Sequence, residues 1–280
     1  MEYVSRVPGP PLDGLIDDLY YVVGPAPYSR LKVMPMPSAH LMVNLGEPYR
    51  TQDALPGASP VEWADSWCLG LWTRYHLVEW PPTVRLVGVH FKPGGVFPFV
   101  RTPLSELRDQ VVPLDAIWGR FAGELRERLG AAPSAQAALE LLERLLLARL
   151  TDAPPGWGLV QHTIRQIART GGATPIQALS DQAGVSVNYL GARFKHLVGV
   201  PPKRLARIYR FARVVQSVDA ARPVDWSFLA HEASYFDQSH FNKDFVAFTG
   251  HSPTGYLRLR RRFLAENPGN ALAVGPLPAE

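Results

Sequence analysis

The chain has 280 residues, 46% of them hydrophobic and 19% charged, with a formal net charge of +4 and a single cysteine. That length allows one large or two ordinary domains with real cores. The lone Cys68 excludes an intrachain disulfide and a Cys-based zinc site, no apolar run is long enough for a spanning helix, and residues 1–11 lack the pattern of a secretory leader. A reducing cytoplasm is the expected setting.

The first hundred residues predict β-structure. Short apolar runs at 19–24, 31–36, 40–46, 67–73 and 84–91 are separated by Pro and Gly, the pattern of a barrel or sandwich. Residues 48–60 read as a loop. Trp63, Trp67, Trp72, Tyr75 and Trp80 are dense in this region. They fit either a packed core or an aromatic-lined pocket for a small apolar or aromatic effector, which would be lined by Trp67, Trp72, Tyr75, Trp80, His40 and His90. His40, His76 and His90 show no metal-ligand spacing, so no metal and no cofactor is expected. Cys68 sits in an apolar strand and reads as buried structure.

Helical periodicity begins after Pro103. Leu104, Leu107 and Arg108 suggest a short helix, and Leu114, Ile117, Trp118, Phe121, Leu125 and Leu129 a longer one. Another starts at Ser134, a good N-cap, and carries Leu139, Leu142, Leu145, Leu146 and Leu150. These helices, at about 113–150, either cover the sheet or join two protomers into a homodimer. The sequence TDAPPGWG at 151–158 stops helices and strands alike. The expected division is therefore a domain at 1–150, a linker at 151–159, a second domain at 160–262 and a disordered tail at 263–280.

Charge follows the same division. Residues 160–262 hold 15 Lys/Arg against 6 Asp/Glu, and residues 1–159 hold 14 against 17. A basic module beside an acidic one predicts a polyanion binder joined to a domain with another task.

The basic part contains one unit written twice. Leu179, Ala183, Phe194, Gly199, Pro202 and Leu205 recur as Leu229, Ala233, Phe245, Gly250, Pro253 and Tyr256. The offset grows from 50 to 51, so the second copy carries one inserted residue between Ala233 and Phe241. After an introductory helix at 162–169, Thr174 and Pro175 are the expected cap and first residue of a helix ending at Ala183. Gly184 turns the chain, and Ser186 caps a second helix that buries Leu190, Phe194 and Leu197. A long helix at 203–218 bridges to the second copy and can hold the two units about one DNA turn, ~34 Å, apart. In that copy Asp225 and Asp237 are the expected caps. Phe241, Phe245 and Phe248 form the buried side of the last of its two helices, with Gln238, Ser239, Asn242 and Lys243 opposite. Gln and Asn can pair with adenine, and Lys with guanine or phosphate. A closing cluster of Arg258, Arg260, Arg261 and Arg262 is a ready phosphate contact.

These residues resemble the DNA-binding domain of the AraC/XylS family of bacterial transcription regulators. The matching segments are AGVSVNYL at 183–190, GVPP at 199–202, RIYRFA at 207–212, YFDQSHF at 235–241 and SP at 252–253. The resemblance implies two helices in adjacent major-groove segments of promoter DNA. Positions facing DNA then fall on Asn188, Tyr189, Gly191 and Ala192, and on Gln238, Ser239, His240, Asn242 and Lys243. Ser186, Arg193, Lys195, Arg207 and Asp237 complete the candidate set. Gly191 and Ala192 stand where the family often has polar side chains, so the second helix is expected to carry most of the specificity.

The resemblance also implies a cupin-like β-barrel at the N-terminus and RNA polymerase as a candidate partner. The segments LVGVHFKPGG at 86–95 and PLSELRD at 103–109 are similar to a subgroup with a divergent N-terminal domain. The expected whole is an α+β, non-enzymatic, effector-responsive regulator. A cupin-type metalloenzyme and a ligand-free DNA-bound interaction platform are the alternatives. No phosphate loop, nucleophile elbow or paired-carboxylate signature is present.

Overall fold

In a computed structural model that describes residues 1–26, 29–55, 57–266 and 277–278, the described part of 2–113 forms strands and turns, with one α-helical turn, α1 (Phe97–Val100), and two 3-10 turns at Leu12–Gly14 and Leu104–Glu106, the latter where a short helix is expected. The strands are β1 (Glu2–Arg6), β2 (Ile16–Pro25), β3 (Arg30–Val33), β4 (Ala39–Asn44), β5 (Tyr49–Asp53), β6 (Val61–Trp63), β7 (Ser66–Leu69), β8 (His76–Glu79), β9 (Thr83–Phe91) and β10 (Val111–Pro113). They make two antiparallel sheets, ordered β1-β2-β9-β4-β7-β10 and β3-β8-β5-β6. A short β11 (Leu277–Pro278) pairs with β3. The class is α+β as expected, but the β portion is two open sheets and not one closed barrel.

The first sheet is covered on both sides, which is why its central strands read as nearly unbroken apolar runs. Alternate residues divide between two cores. Leu19, Tyr21, Cys68, Val87, Val89 and Phe91 join a large cluster with the helices. Tyr20, Val22, Trp67, Leu69, Val84 and Leu86 face the second sheet together with Tyr49 and Trp72. Gly88 allows this arrangement, because a Cβ there would lie 2.2 Å from the Tyr20 ring. Burial pushes the Cys68 thiol up to about 12, so it stays protonated and inert.

The single helix expected at 114–129 is broken into α2 (Leu114–Trp118) and α3 (Phe121–Gly130). Gly119 adopts φ 58°, a conformation open to glycine and costly for other residues, and it ends the first helix. α4 (Ala135–Arg149) begins where expected, with Ser134 Oγ accepting from the Ala137 N–H at 3.1 Å. Its Ala138, Leu139, Leu142 and Leu146 are buried, and it lies against β1 and β2. Leu147 on the other side is exposed.

The connection is shorter than the expected 151–159. α5 (Trp157–Arg169) starts inside that span, and Trp157 packs on Phe97 with ring centroids 6.4 Å apart. The remaining helices are α6 (Ile176–Gln182), α7 (Val187–Val198), α8 (Pro202–Ser217), α9 (Trp226–Glu232), α10 (Gln238–Thr249) and α11 (Pro253–Glu266). α8 runs through the middle of them, burying Leu205, Ile208, Phe211, Val214 and Val215. α11 continues past the expected end at 262. Most of the tail expected to be disordered, 267–276 and 279–280, lies outside the described residues.

Candidate nucleic-acid interface and ligand cavity

The first helix pair is α6 and α7. α6 begins at Ile176 with Pro175 in the cap position, one residue later than Thr174 would place it. Ser180 Oγ donates to the Val185 carbonyl at 2.7 Å and fixes the turn, and Ser186 Oγ accepts from the Tyr189 N–H at 3.2 Å to start α7. Leu190, Phe194 and Leu197 are fully buried, which leaves Asn188, Tyr189, Ala192 and Lys195 on the solvent side. Gly191 and Ala192 contribute no polar atom to that face.

The second pair repeats this geometry. Asp225 Oδ1 accepts from the Phe228 N–H at 3.0 Å, and Asp237 Oδ1 from the His240 N–H at 2.7 Å. Phe241, Phe245 and Phe248 are buried, and Gln238, Ser239, Asn242 and Lys243 are exposed. His240 is half-buried, its ring set edge-on to Tyr235 at 5.3 Å. The turns also locate the inserted residue. The Val185 N–H donates to the Ser180 carbonyl as the Tyr235 N–H donates to the Ala230 carbonyl. Val185 directly precedes its cap, whereas Phe236 lies between Tyr235 and Asp237. Phe236 is therefore the insertion, and it is 92% exposed.

Several candidate contacts serve the fold instead. Ser186 and Asp237 cap their helices. Arg193 donates to the Pro155 carbonyl in the connection between the halves. Arg207 on α8 meets Asp244 on α10: its Nε lies 3.1 Å from both carboxylate oxygens and its Nη2 2.5 Å from Oδ1. In the closing cluster Arg260 is buried, and Arg261 donates to the carbonyls of Ala220 and Arg222, both at 2.9 Å. Arg258 and Arg262 remain exposed.

Between the two sheets lies a cavity of about 790 Å³. Trp67, Trp72, Trp80, His40 and His90 line it as expected. Tyr75 does not. It lies under Lys32 Nζ at 4.5 Å and against Gly250. Sequence reasoning missed Tyr49, His76 and Gln216, which do line the cavity. Tyr49 meets Trp67 and Trp80 edge-on at 5.6 and 5.7 Å, and His76 stacks on Trp72 at 4.0 Å. Burial holds the His40 imidazole well below its ordinary range and lowers that of His76 to about 4, so both are neutral at physiological pH. At one wall Asp18 receives hydrogen bonds from Tyr3 Oη at 3.1 Å and from His90 Nδ1 at 2.5 Å. Burial works against charge on Asp18, but these bonds outweigh it and keep the carboxyl below the usual carboxylate range. Gln216 is the lining residue that comes from α8.

Residues 179–259 match a helix-turn-helix domain family, across both helix pairs and the helix between them. That part of the chain is a helix-turn-helix domain of the AraC type. The chain's N-terminal part, residues 5–113, matches a domain of unknown function, DUF6597. No curated protein matches the chain. Solved structures similar to the chain include ToxT from Vibrio cholerae O395, at 10% identity over 86% of this chain and 97% of that one, with a TM-score of 0.44. A second ToxT structure, bound to (E)-4-(8-methylnaphthalen-1-yl)but-3-enoic acid, aligns at 9% identity over 92% and 99%, with a TM-score of 0.45. The AraC-like transcriptional activator CuxR aligns at 12% identity over 83% and 91%, with a TM-score of 0.26.

The exposed faces of α7 and α10 and the cavity belong to different halves, and α8 contributes to both. Among the described residues, no group of three or more His, Cys, Asp or Glu is placed to hold a metal ion. No helix of the described residues is long and apolar enough to cross a membrane.

Proposed function

We propose that the protein is an effector-responsive transcription regulator that reads two adjacent major-groove segments of duplex DNA with α7 and α10. The observation that carries this reading is the pair of capped helices, each with a buried apolar side and an exposed polar one, joined by one continuous helix. At 1.5 Å per residue, the 16 residues of α8 span about 24 Å, enough to hold the two units rigidly. Residues 1–150 form the sensing part and 157–266 the DNA-binding part. The smooth face of Gly191 and Ala192 supports α10 as the helix that carries most of the sequence discrimination.

Lys195 and Lys243 suit phosphate contacts, being exposed on the solvent sides of α7 and α10. Each Lys→Ala variant is expected to weaken DNA binding on all sequences and to lower the steepness of log K against log salt by about 1. A titration series in salt tests this, and a slope unchanged in both variants would place the DNA elsewhere. Phe236 extends the α10 face with an apolar ring suited to a thymine methyl or sugar edge. Phe236→Ala is expected to cost roughly 3–10-fold in specific affinity, in line with loss of one base contact. Its melting temperature should not change, because the ring touches little of the protein.

The cavity is the proposed effector site, and Gln216 supports a direct route from it to DNA. A ligand that contacts Gln216 touches the same helix that spaces α7 from α10. Occupancy then favours whichever α8 position the ligand contacts best, and operator affinity shifts with it.

A further inference from the structure

We infer that the cavity between the sheets takes an organic cation with a planar apolar body, an amine or quaternary ammonium and not a carboxylate. This rests on the reading of the cavity as an effector site. Among the described residues its walls carry no Lys or Arg, and their charged side chains are Asp17 and Asp18, with His90 hydrogen-bonded to the latter. Lys92, outside the lining, approaches Asp17 only at 4.0 Å. An anion drawn in would lose its hydration without meeting a fixed cation.

The aromatic lining points the same way. Tyr49, Trp67, Trp72 and Trp80 turn rings toward one space, and electron-rich ring faces attract a weakly hydrated cation. His40 and His76, neutral at physiological pH, offer no opposing charge. Besides the donor-only Trp72 Nε1, two buried lining atoms able to accept also lack hydrogen-bond partners among the described residues, Tyr49 Oη and His76 Nδ1. Both residues are under 5% exposed. A phenol oxygen, and an imidazole nitrogen in the appropriate tautomer, accept from an N–H. Groups buried at that depth are ordinarily satisfied, and these two stand in a cavity large enough for a bicyclic ligand.

Three probes with one aromatic body separate charge from shape: 2-naphthylmethylammonium, 2-naphthylmethanol and 2-naphthylacetate. Each is titrated into the full chain, with tryptophan fluorescence and melting temperature as readouts. The ammonium is expected to bind at least tenfold tighter than the acetate, with the alcohol between. In Asp17→Asn, a change at a half-exposed carboxylate on the cavity wall, the gap between ammonium and acetate is expected to narrow at least threefold. Acetate binding as tightly as the ammonium overturns the inference of charge and leaves the effector site standing. A gap unchanged in Asp17→Asn places the cation elsewhere and overturns the site. Binding by none of the three overturns both this inference and the effector reading it rests on.

Discussion

Asp244→Ala is expected to destabilise the protein by about 3 kcal/mol, the range for breaking one side of a buried ion pair. The Asp244 side chain is 3% exposed and that of Arg207 27%. Together they tie the bridging helix α8 to the reading helix α10. Removing the carboxylate leaves the guanidinium part-buried, set over the Phe248 ring at 5.7 Å with no countercharge. His240, on the adjacent turn with Nε2 3.9 Å from Asp244, loses the same neighbour. Urea unfolding measures the loss, and DNA binding should weaken with it because α10 is no longer fixed to its spacer. Arg207→Lys is expected to recover part of the stability only, since an ammonium cannot meet both oxygens as the planar fork does. Asp244→Ala within about 0.5 kcal/mol of wild type, the ordinary range for a surface substitution, would contradict this role.

Phe245→Ala is expected to cost more, about 3–5 kcal/mol, as large-to-small changes at packed aromatic positions do. Phe245 is completely buried. Its ring stands 5.3–5.6 Å from those of Tyr256, Phe241, Trp226 and Phe211, which come from four different helices. The ring meets all four neighbours edge-on, so its removal forfeits four aromatic contacts at once and leaves a cavity between helices. A fall in melting temperature with near-complete loss of specific DNA binding is the expected result. Phe194→Ala, at the corresponding place in the first unit, should match it in stability, because Phe194 is equally buried. It should cost less specificity. A Phe245→Ala protein that kept operator affinity would break the link drawn between this packing and DNA reading.

The helix-turn-helix half was legible because its determinants are local. Caps at Ser134, Ser186, Asp225 and Asp237 declare themselves by residue type, and period-3.6 spacing marks the buried faces. The insertion in the second copy was also visible, and it is the signal from which Phe236 could have been found. What the sequence could not reveal depends on long-range partners. Arg193 and Arg207 look like DNA contacts in any linear reading, and only the fold brings Pro155 and Asp244 to them. Tyr49 and Tyr75 differ in the same way. Tyr49, at the start of β5, lines the cavity, whereas Tyr75, just before β8, lies outside it. Gln216 reaches the cavity from more than a hundred residues away in sequence. The strand pattern left barrel and sandwich both open, since alternation identifies strands but not which edges meet, and the two sheets stay open.

Selection of bound sequences from a random duplex pool at about 150 mM salt, high enough to suppress purely electrostatic binding, tests DNA reading by the two helices most directly. Wild type, Gln238→Ala and Asn188→Ala are compared. Wild type should enrich two boxes about one helical turn apart. Gln238→Ala should erode one box, and Asn188→Ala should leave most of the information in place. No enriched motif, or an equal loss of discrimination in the two variants, would contradict sequence reading centred on α10.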